Sequence, residues 1–121
     1  MKNQDPKPQI TFGKFDNVDM RVAKVIAAPM AKETRSPCRV FTLDVGFLGQ
    51  KQSVGQYALL EESELVGRNV VVCINLSARE MGAYTSEVLL LGAPHPESPA
   101  DQSQATPIFV ADSVQIGSRI F

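Results

Sequence analysis

Asn69-Val70-Val71-Val72-Cys73-Ile74-Asn75-Leu76 is the least interrupted apolar run of the chain, and it reads as the core strand. Just upstream, Leu59 to Val66 reads as a short helix closed by Gly67, with Glu61, Glu62 and Glu64 facing solvent. Just downstream, Ser77 to Thr85 is a loop carrying Arg79, Met81, Gly82 and Tyr84, and Ser86 to Leu91 is a further strand. Further towards the N-terminus, Gln50 to Val54 is a polar strand. A turn flanked by Gly46 and Gly49 joins it to the strand Arg39-Val40-Phe41-Thr42-Leu43-Asp44-Val45. Polar and apolar residues alternate from Arg21 to Val25, so Met20 to Ala27 is a strand, and Pro29 ends it. Residues 28–38 are a loop. Ile10 to about Val18 is a short amphipathic helix, with Thr11 as its cap and Phe12 and Phe15 on one face.

At the edges, residues 1–9 read as a flexible lead to a single domain over 10–121. Gly92, Pro94, Pro96, Pro99 and Pro107 fence a polar loop, and Pro107 to Ala111 and Ser118 to Phe121 read as terminal strands. The fold class is all-β. Five short strands with one helix between the third and fourth match a Greek-key OB barrel, with a generic small β-barrel as the alternative.

The 121 residues suffice for one domain, and 44% apolar against 21% charged residues is a globular composition. The two cysteines, Cys38 and Cys73, form no Cys-x-x-Cys motif, and His95 is the single histidine, so a metal site or a Cys/His catalytic pair has almost no material. Cys73 reads as a small buried hydrophobe, and Cys38 as that or as a reactive or dimer-linking thiol. No secretory leader is expected from the polar start, and no apolar run reaches membrane-spanning length. A cytoplasmic, reduced protein without cofactor is the expectation. With no acid–base set and no nucleophile motif, an enzyme is disfavoured against a binding protein.

The net charge of -1 hides an asymmetry. From Lys14 to Lys51 the chain carries +3; from Gln52 onward it carries -5. A few convergent cations are enough to bind phosphate, so the low total limits affinity for nucleic acid without excluding it.

Four blocks carry a family resemblance. They are Ile10-Thr11-Phe12 with Val18-Asp19-Met20-Arg21-Val22-Ala23-Lys24-Val25; Arg35-Ser36-Pro37-Cys38-Arg39-Val40 with Leu43 to Gly46 and Gly49 to Ser53; Glu64 to Leu76 with Met81 to Gly92; and Gly117-Ser118-Arg119-Ile120. Together they resemble the tRNA-binding domain found appended to some aminoacyl-tRNA synthetases and as free-standing dimers, on its branch of CsaA-type secretion chaperones. Ala23 stands where the family usually has Gly, and residues 93–106 are longer and richer in Pro than the corresponding turn. The resemblance implies an OB barrel whose terminal extensions form a homodimer, with Ile120 and Phe121 as dimer contacts. It implies non-catalytic binding of tRNA and, as the alternative, of unfolded or exported polypeptides delivered to the secretion machinery.

Carried over residue by residue, the resemblance implies a polar pocket of Ser53, Asn75 and Ser86 and a basic patch of Arg21, Lys32, Arg35, Lys51 and Arg79. Three short polar groups near one barrel mouth can hydrogen-bond a nucleotide or a peptide backbone. The competing reading is that Asn75 and Ser86 only tie the intervening loop. Tyr84 can stack on a base or pack on Met81. Arg21 can bind phosphate or pair with Asp19 or Asp44. A single aromatic beside the patch favours folded RNA over single strands.

Overall fold

The structure is a computed structural model, and it describes residues 4–121. Part of the expected lead, residues 1–3, lies outside the described residues; residues 4–9 are exposed and carry no regular element.

Met20–Ala27 (β1) is the axis of the sheet. On one side, Asn69–Cys73 (β4) runs antiparallel to it, from Met20 opposite Cys73 to Lys24 opposite Asn69. On the other side the partner changes part-way. Arg39–Asp44 (β2) pairs with the second half, and Arg119–Ile120 (β11) pairs with Met20 and Arg21. The change falls at Val22, whose N–H donates to the Ser118 carbonyl (3.0 Å) and whose carbonyl accepts from the Gly117 N–H (2.7 Å). Gln50–Gly55 (β3) extends the sheet beyond β2, while Leu89–Leu90 (β7) and Phe109–Val110 (β10) pair with opposite ends of β4. Phe12–Asp16 (α1) precedes the sheet, with the Thr11 hydroxyl accepting from the Lys14 N–H. Glu62–Leu65 (α2) lies between β3 and β4, as the sequence predicts.

The expected closed five-stranded barrel is not what forms. The seven-stranded antiparallel sheet is open: its path runs β10-β4-β1-β2-β3, and no strand pairing joins β3 back to β7 or β10. The physical reason lies in the segment expected as the fifth strand. Of Ser86 to Leu91 only Ser86 falls in Tyr84–Ser86 (β6) and only Leu89 and Leu90 form β7, and β6 pairs with Arg79–Met81 (β5) in a separate hairpin where a loop is expected. The seam between β3 and this segment is made largely by side chains. The Ser86 hydroxyl accepts from the Val54 N–H (3.1 Å), and the Ser53 hydroxyl accepts from the Leu90 N–H (3.4 Å). A direct backbone bond also runs from the Glu87 N–H to the Gln52 carbonyl (2.8 Å). The Pro-rich segment is also framed by a hairpin, Gly92–Pro94 (β8) with Ala105–Pro107 (β9).

Alternation along the strands builds two clusters. On the inner face Ala23, Val25, Phe41, Leu43, Val70 and Val72 pack with Leu65 of α2 and with Tyr57. Tyr57 meets Phe41 edge-on at 5.5 Å, and its hydroxyl donates to the Leu90 carbonyl (2.8 Å). Gly92 makes room for it: a Cβ there would lie 2.7 Å from both the Tyr57 ring and the Thr106 carbonyl oxygen. On the outer face Cys38, Val40 and Val54 pack under Ala31, Met81 and Tyr84, so the β5–β6 hairpin and the loop before β2 share a small core of their own. Arg39 is buried with its guanidinium donating to the carbonyls of Ala28 (2.7 Å), Leu60 (2.9 Å) and Tyr57 (3.2 Å). Nothing local in the sequence marks it as structural, because its acceptors lie up to 21 residues away.

Candidate functional site

The loop between β1 and β2 has a closed neck. Met30 bridges Arg39, and the Ala31 N–H donates to the Cys38 carbonyl at 2.8 Å. Beyond the neck, residues 32–37 project Lys32 and Arg35 into solvent, with Glu33 at φ +58°. The Lys32 N–H donates to the Tyr84 hydroxyl (3.1 Å), and Tyr84 packs with Met81 over the outer cluster. Arg79 is exposed on the same hairpin, with its guanidinium 3.6 Å from the Met81 sulfur. Lys51 is half-buried on the neighbouring β3, whose Gln52 side chain donates to the Thr85 carbonyl (2.9 Å). The elements bearing Lys32, Arg35, Lys51 and Arg79 are therefore joined by direct contacts. None of the four pairs with a carboxylate among the described residues. Glu33 and Glu80 lie on these elements and Glu87 just beyond β6, so the elements carry four cations against three acids. Lys51, opposite the core residue Leu43, alternates with Gln52 and so stands on the side of β3 away from the hairpin.

Arg21 is held apart from that group. Its guanidinium forms an ion pair with Asp19 at 2.7 Å, donates to the Gly117 carbonyl (3.1 Å) and lies 5.8 Å from the centre of the Phe47 ring. The hydrogen bond from Arg21 holds the Asp19 carboxyl below its ordinary range, and the same bond raises Arg21.

The three short polar residues do not converge on one opening. Ser53 and Ser86 are buried with their hydroxyls engaged in the seam, and Ser86 also donates to the Val88 carbonyl (3.2 Å). Asn75 is exposed, but its carbonyl accepts from the Asp19 N–H (2.9 Å) and its amide donates to the Asn17 carbonyl (2.7 Å). It fastens the turn after α1. Asn75 does line a cleft of about 320 Å³ with Phe12, Phe15, Arg119, Ile120 and Phe121. There Phe12 is 76% exposed and Phe121 fully so, while Ile120 is half-buried opposite Met20.

A second, larger and open cleft of about 800 Å³ is lined by residues of the Pro-rich segment between Gly92 and Ala105 together with Gln4. Sequence reading had no signal for Gln104, which is buried there. Its carbonyl accepts from the Ala58 N–H, and its amide donates to the Pro37 carbonyl, both at 2.9 Å. Both cysteines are free and buried, and burial raises the Cys38 thiol against a smaller opposing hydrogen bond with Thr34. Among the described residues no group of His, Cys, Asp and Glu could hold a metal ion, and no helix is long and apolar enough to cross a membrane.

Residues 20–119 match the family described as "Putative tRNA binding domain". The chain belongs to that family. The tRNA-binding-domain match spans β1 to the start of β11, so it takes in both clusters and the seam. Among curated relatives, the methionine–tRNA ligase of Bdellovibrio bacteriovorus is 33% identical over 120 residues, 96% of this chain and 16% of that protein. The methionine–tRNA ligase of Dichelobacter nodosus is 40% identical over 88 residues, 72% of this chain and 13% of that protein. The chain thus spans only about a sixth or less of these relatives. Among solved structures, the chaperone CsaA of Bacillus anthracis is 28% identical with a TM-score of 0.82, covering 94% of this chain and all of that one. The MetRS related protein of Pyrococcus horikoshii, 21% identical with a TM-score of 0.80, shares the fold over 95% of this chain and all of that one.

Proposed function

We propose that this tRNA-binding-domain protein binds structured tRNA without catalysis, through the face formed by the 32–37 loop, the β5–β6 hairpin and β3. The observation that supports the reading is the joining of Lys32, Arg35 and Arg79 on contacting elements, with Lys51 on the adjoining β3, none engaged by a carboxylate. Phosphate oxygens are the natural partners of such cations, and Arg offers a forked donor set where Lys offers a point charge. Three acids on the same elements restrict the field, so moderate affinity with a shallow salt dependence is expected. Arg21 supports the structure rather than the ligand, because its charge is paired with Asp19 and three of its five N–H donors are taken.

The test is fluorescence anisotropy of labelled total tRNA across a salt series, with wild type and a Lys32/Arg35/Lys51/Arg79 quadruple Ala variant. Three to four phosphate contacts give a slope of log K against log salt of about -2 to -4, and the variant loses most of it with a roughly 10- to 100-fold weaker affinity. Equal binding by the two proteins removes this face from the reading.

A second reading rests on a different observation. Phe12, Phe15, Val18 and Phe121 are exposed beside the half-buried Ile120 around the smaller cleft, an apolar surface that water covers poorly. A second copy of the chain burying this surface makes a homodimer that presents two basic faces to one ligand. An unfolded polypeptide is the other occupant, and the likeness to the chaperone CsaA supports it.

A further inference from the structure

Residues 32–37 carry two exposed cations of the basic face, Lys32 and Arg35, yet only a few bonds hold them to the body of the molecule. At one end, the Lys32 N–H donates to the Tyr84 hydroxyl at 3.1 Å. At the other, the Pro37 carbonyl accepts from the Gln104 amide at 2.9 Å. Between these anchors the loop carries Lys32 and Arg35 and bends through Glu33 at φ +58°, a conformation that L side chains adopt rarely and that needs outside support.

From this geometry we infer that Tyr84 and Gln104 are positioning residues that clamp the loop from two sides and set the presentation of Lys32 and Arg35 to phosphate. The inference rests on the proposed RNA-binding reading and assigns Tyr84 a role other than base stacking. Its ring packs over the outer cluster with Ala31 and Met81, and its hydroxyl oxygen accepts a hydrogen bond from the Lys32 N–H. Gln104 is 1% exposed with both ends of its amide bonded, to Ala58 and to Pro37. It therefore ties the Pro-rich segment to the basic loop. That gives the extended 92–106 segment a purpose: it delivers a buried amide to the back of the binding loop. The energetic logic is preorganisation, since a cation held in place loses less conformational freedom on binding than one on an untethered loop.

Tyr84→Phe tests this directly, because it keeps the ring and removes only the hydroxyl. The clamp predicts tRNA binding about 3- to 10-fold weaker and a salt slope shallower by roughly one to two ions. Stacking by the ring predicts no change, and an unchanged Tyr84→Phe overturns the inference. The second readout is coupling. In a protein that already carries Lys32→Ala and Arg35→Ala, adding Tyr84→Phe has no further effect if Tyr84 acts through those cations. A full additional loss there overturns it as well. Gln104→Glu keeps the Ala58 acceptor and removes the donor to Pro37, and it should give the same coupled pattern where circular dichroism shows the variant folded. The quadruple Ala variant separates the two levels. If it binds tRNA like wild type, the RNA-face reading falls and takes the clamp with it. If it loses binding while Tyr84→Phe does not, only the clamp falls.

Discussion

Arg39 shows how one side chain can hold three separate stretches of chain. Its guanidinium reaches the carbonyls of Ala28, Tyr57 and Leu60, which are the end of β1, the exit from β3 and the entry to α2. A Lys ammonium cannot span these acceptors in the same planar fork, so Arg39→Lys is expected to cost about 2–4 kcal/mol, read by urea unfolding. A cost below about 0.5 kcal/mol would mean that the carbonyls find other donors. Asp19 makes a prediction in pH. Its folded carboxyl titrates below the ordinary value because Arg21 donates to the ionised form. Ionised Asp19 therefore stabilises the fold above the pH where an unstructured Asp titrates, about 4, and this is lost as pH falls through the depressed value. Asp19→Asn should flatten the stability profile below about pH 4, and profiles that run parallel to wild type would contradict the linkage. Tyr57 shows the opposite sign at the alkaline end. Burial pushes its phenol up to about 12, so stability falls as pH rises from the ordinary value near 10, where the unfolded phenol ionises, to about 12, where the folded one does.

Among the elements, the seam between β3 and the 84–90 segment is the informative one. A ladder would satisfy its N–H groups with carbonyls; here the hydroxyls of Ser86 and Ser53 do so for Val54 and Leu90. Ser86→Ala leaves the buried Val54 N–H without its acceptor and should destabilise by about 1–3 kcal/mol, with faster hydrogen exchange at Val54. Unchanged exchange there would show that the seam does not depend on the hydroxyl. The long elements, β1 to β4, were legible from alternation and from an unbroken apolar run. The β5–β6 and β8–β9 hairpins were not, because ladders of three residues are too short to establish a period. The expected fifth strand failed for a related reason. Ser86 to Leu91 alternates well enough for one strand, but the Ser86 hydroxyl accepts from the Val54 N–H and donates to the Val88 carbonyl where ladder bonds would run, and only Leu89 and Leu90 stay in the sheet.

For the whole molecule, charge and exposed apolar surface point to two different ligands. The basic face predicts binding that weakens with salt, whereas the cleft around Phe12, Phe15 and Phe121 predicts association that salt scarcely affects. Light scattering at micromolar concentration should give the mass of a dimer. Phe12→Ser with Phe121→Ser should return the monomer while circular dichroism stays unchanged. A monomeric wild type would leave the apolar cleft to a polypeptide, tested by salt-independent capture of a defined unfolded chain. The net charge of -1 accommodates both faces because it is an average over regions of opposite sign.

Composition and strand periodicity were enough for a mainly antiparallel β domain, and the resemblance of four motif blocks was enough for its family, because these depend on neighbours in sequence and on residue type. They also named candidate cations. Which cations remain available was settled by contacts far apart in the chain: Arg21 reaches Gly117, 96 residues away, and is committed, while Lys32, Arg35 and Arg79 stay exposed. Whether the sheet closes was settled the same way, by hydroxyls that took the place of a ladder. A residue's chemistry is local, but its remaining hydrogen-bonding capacity depends on what folding brings next to it.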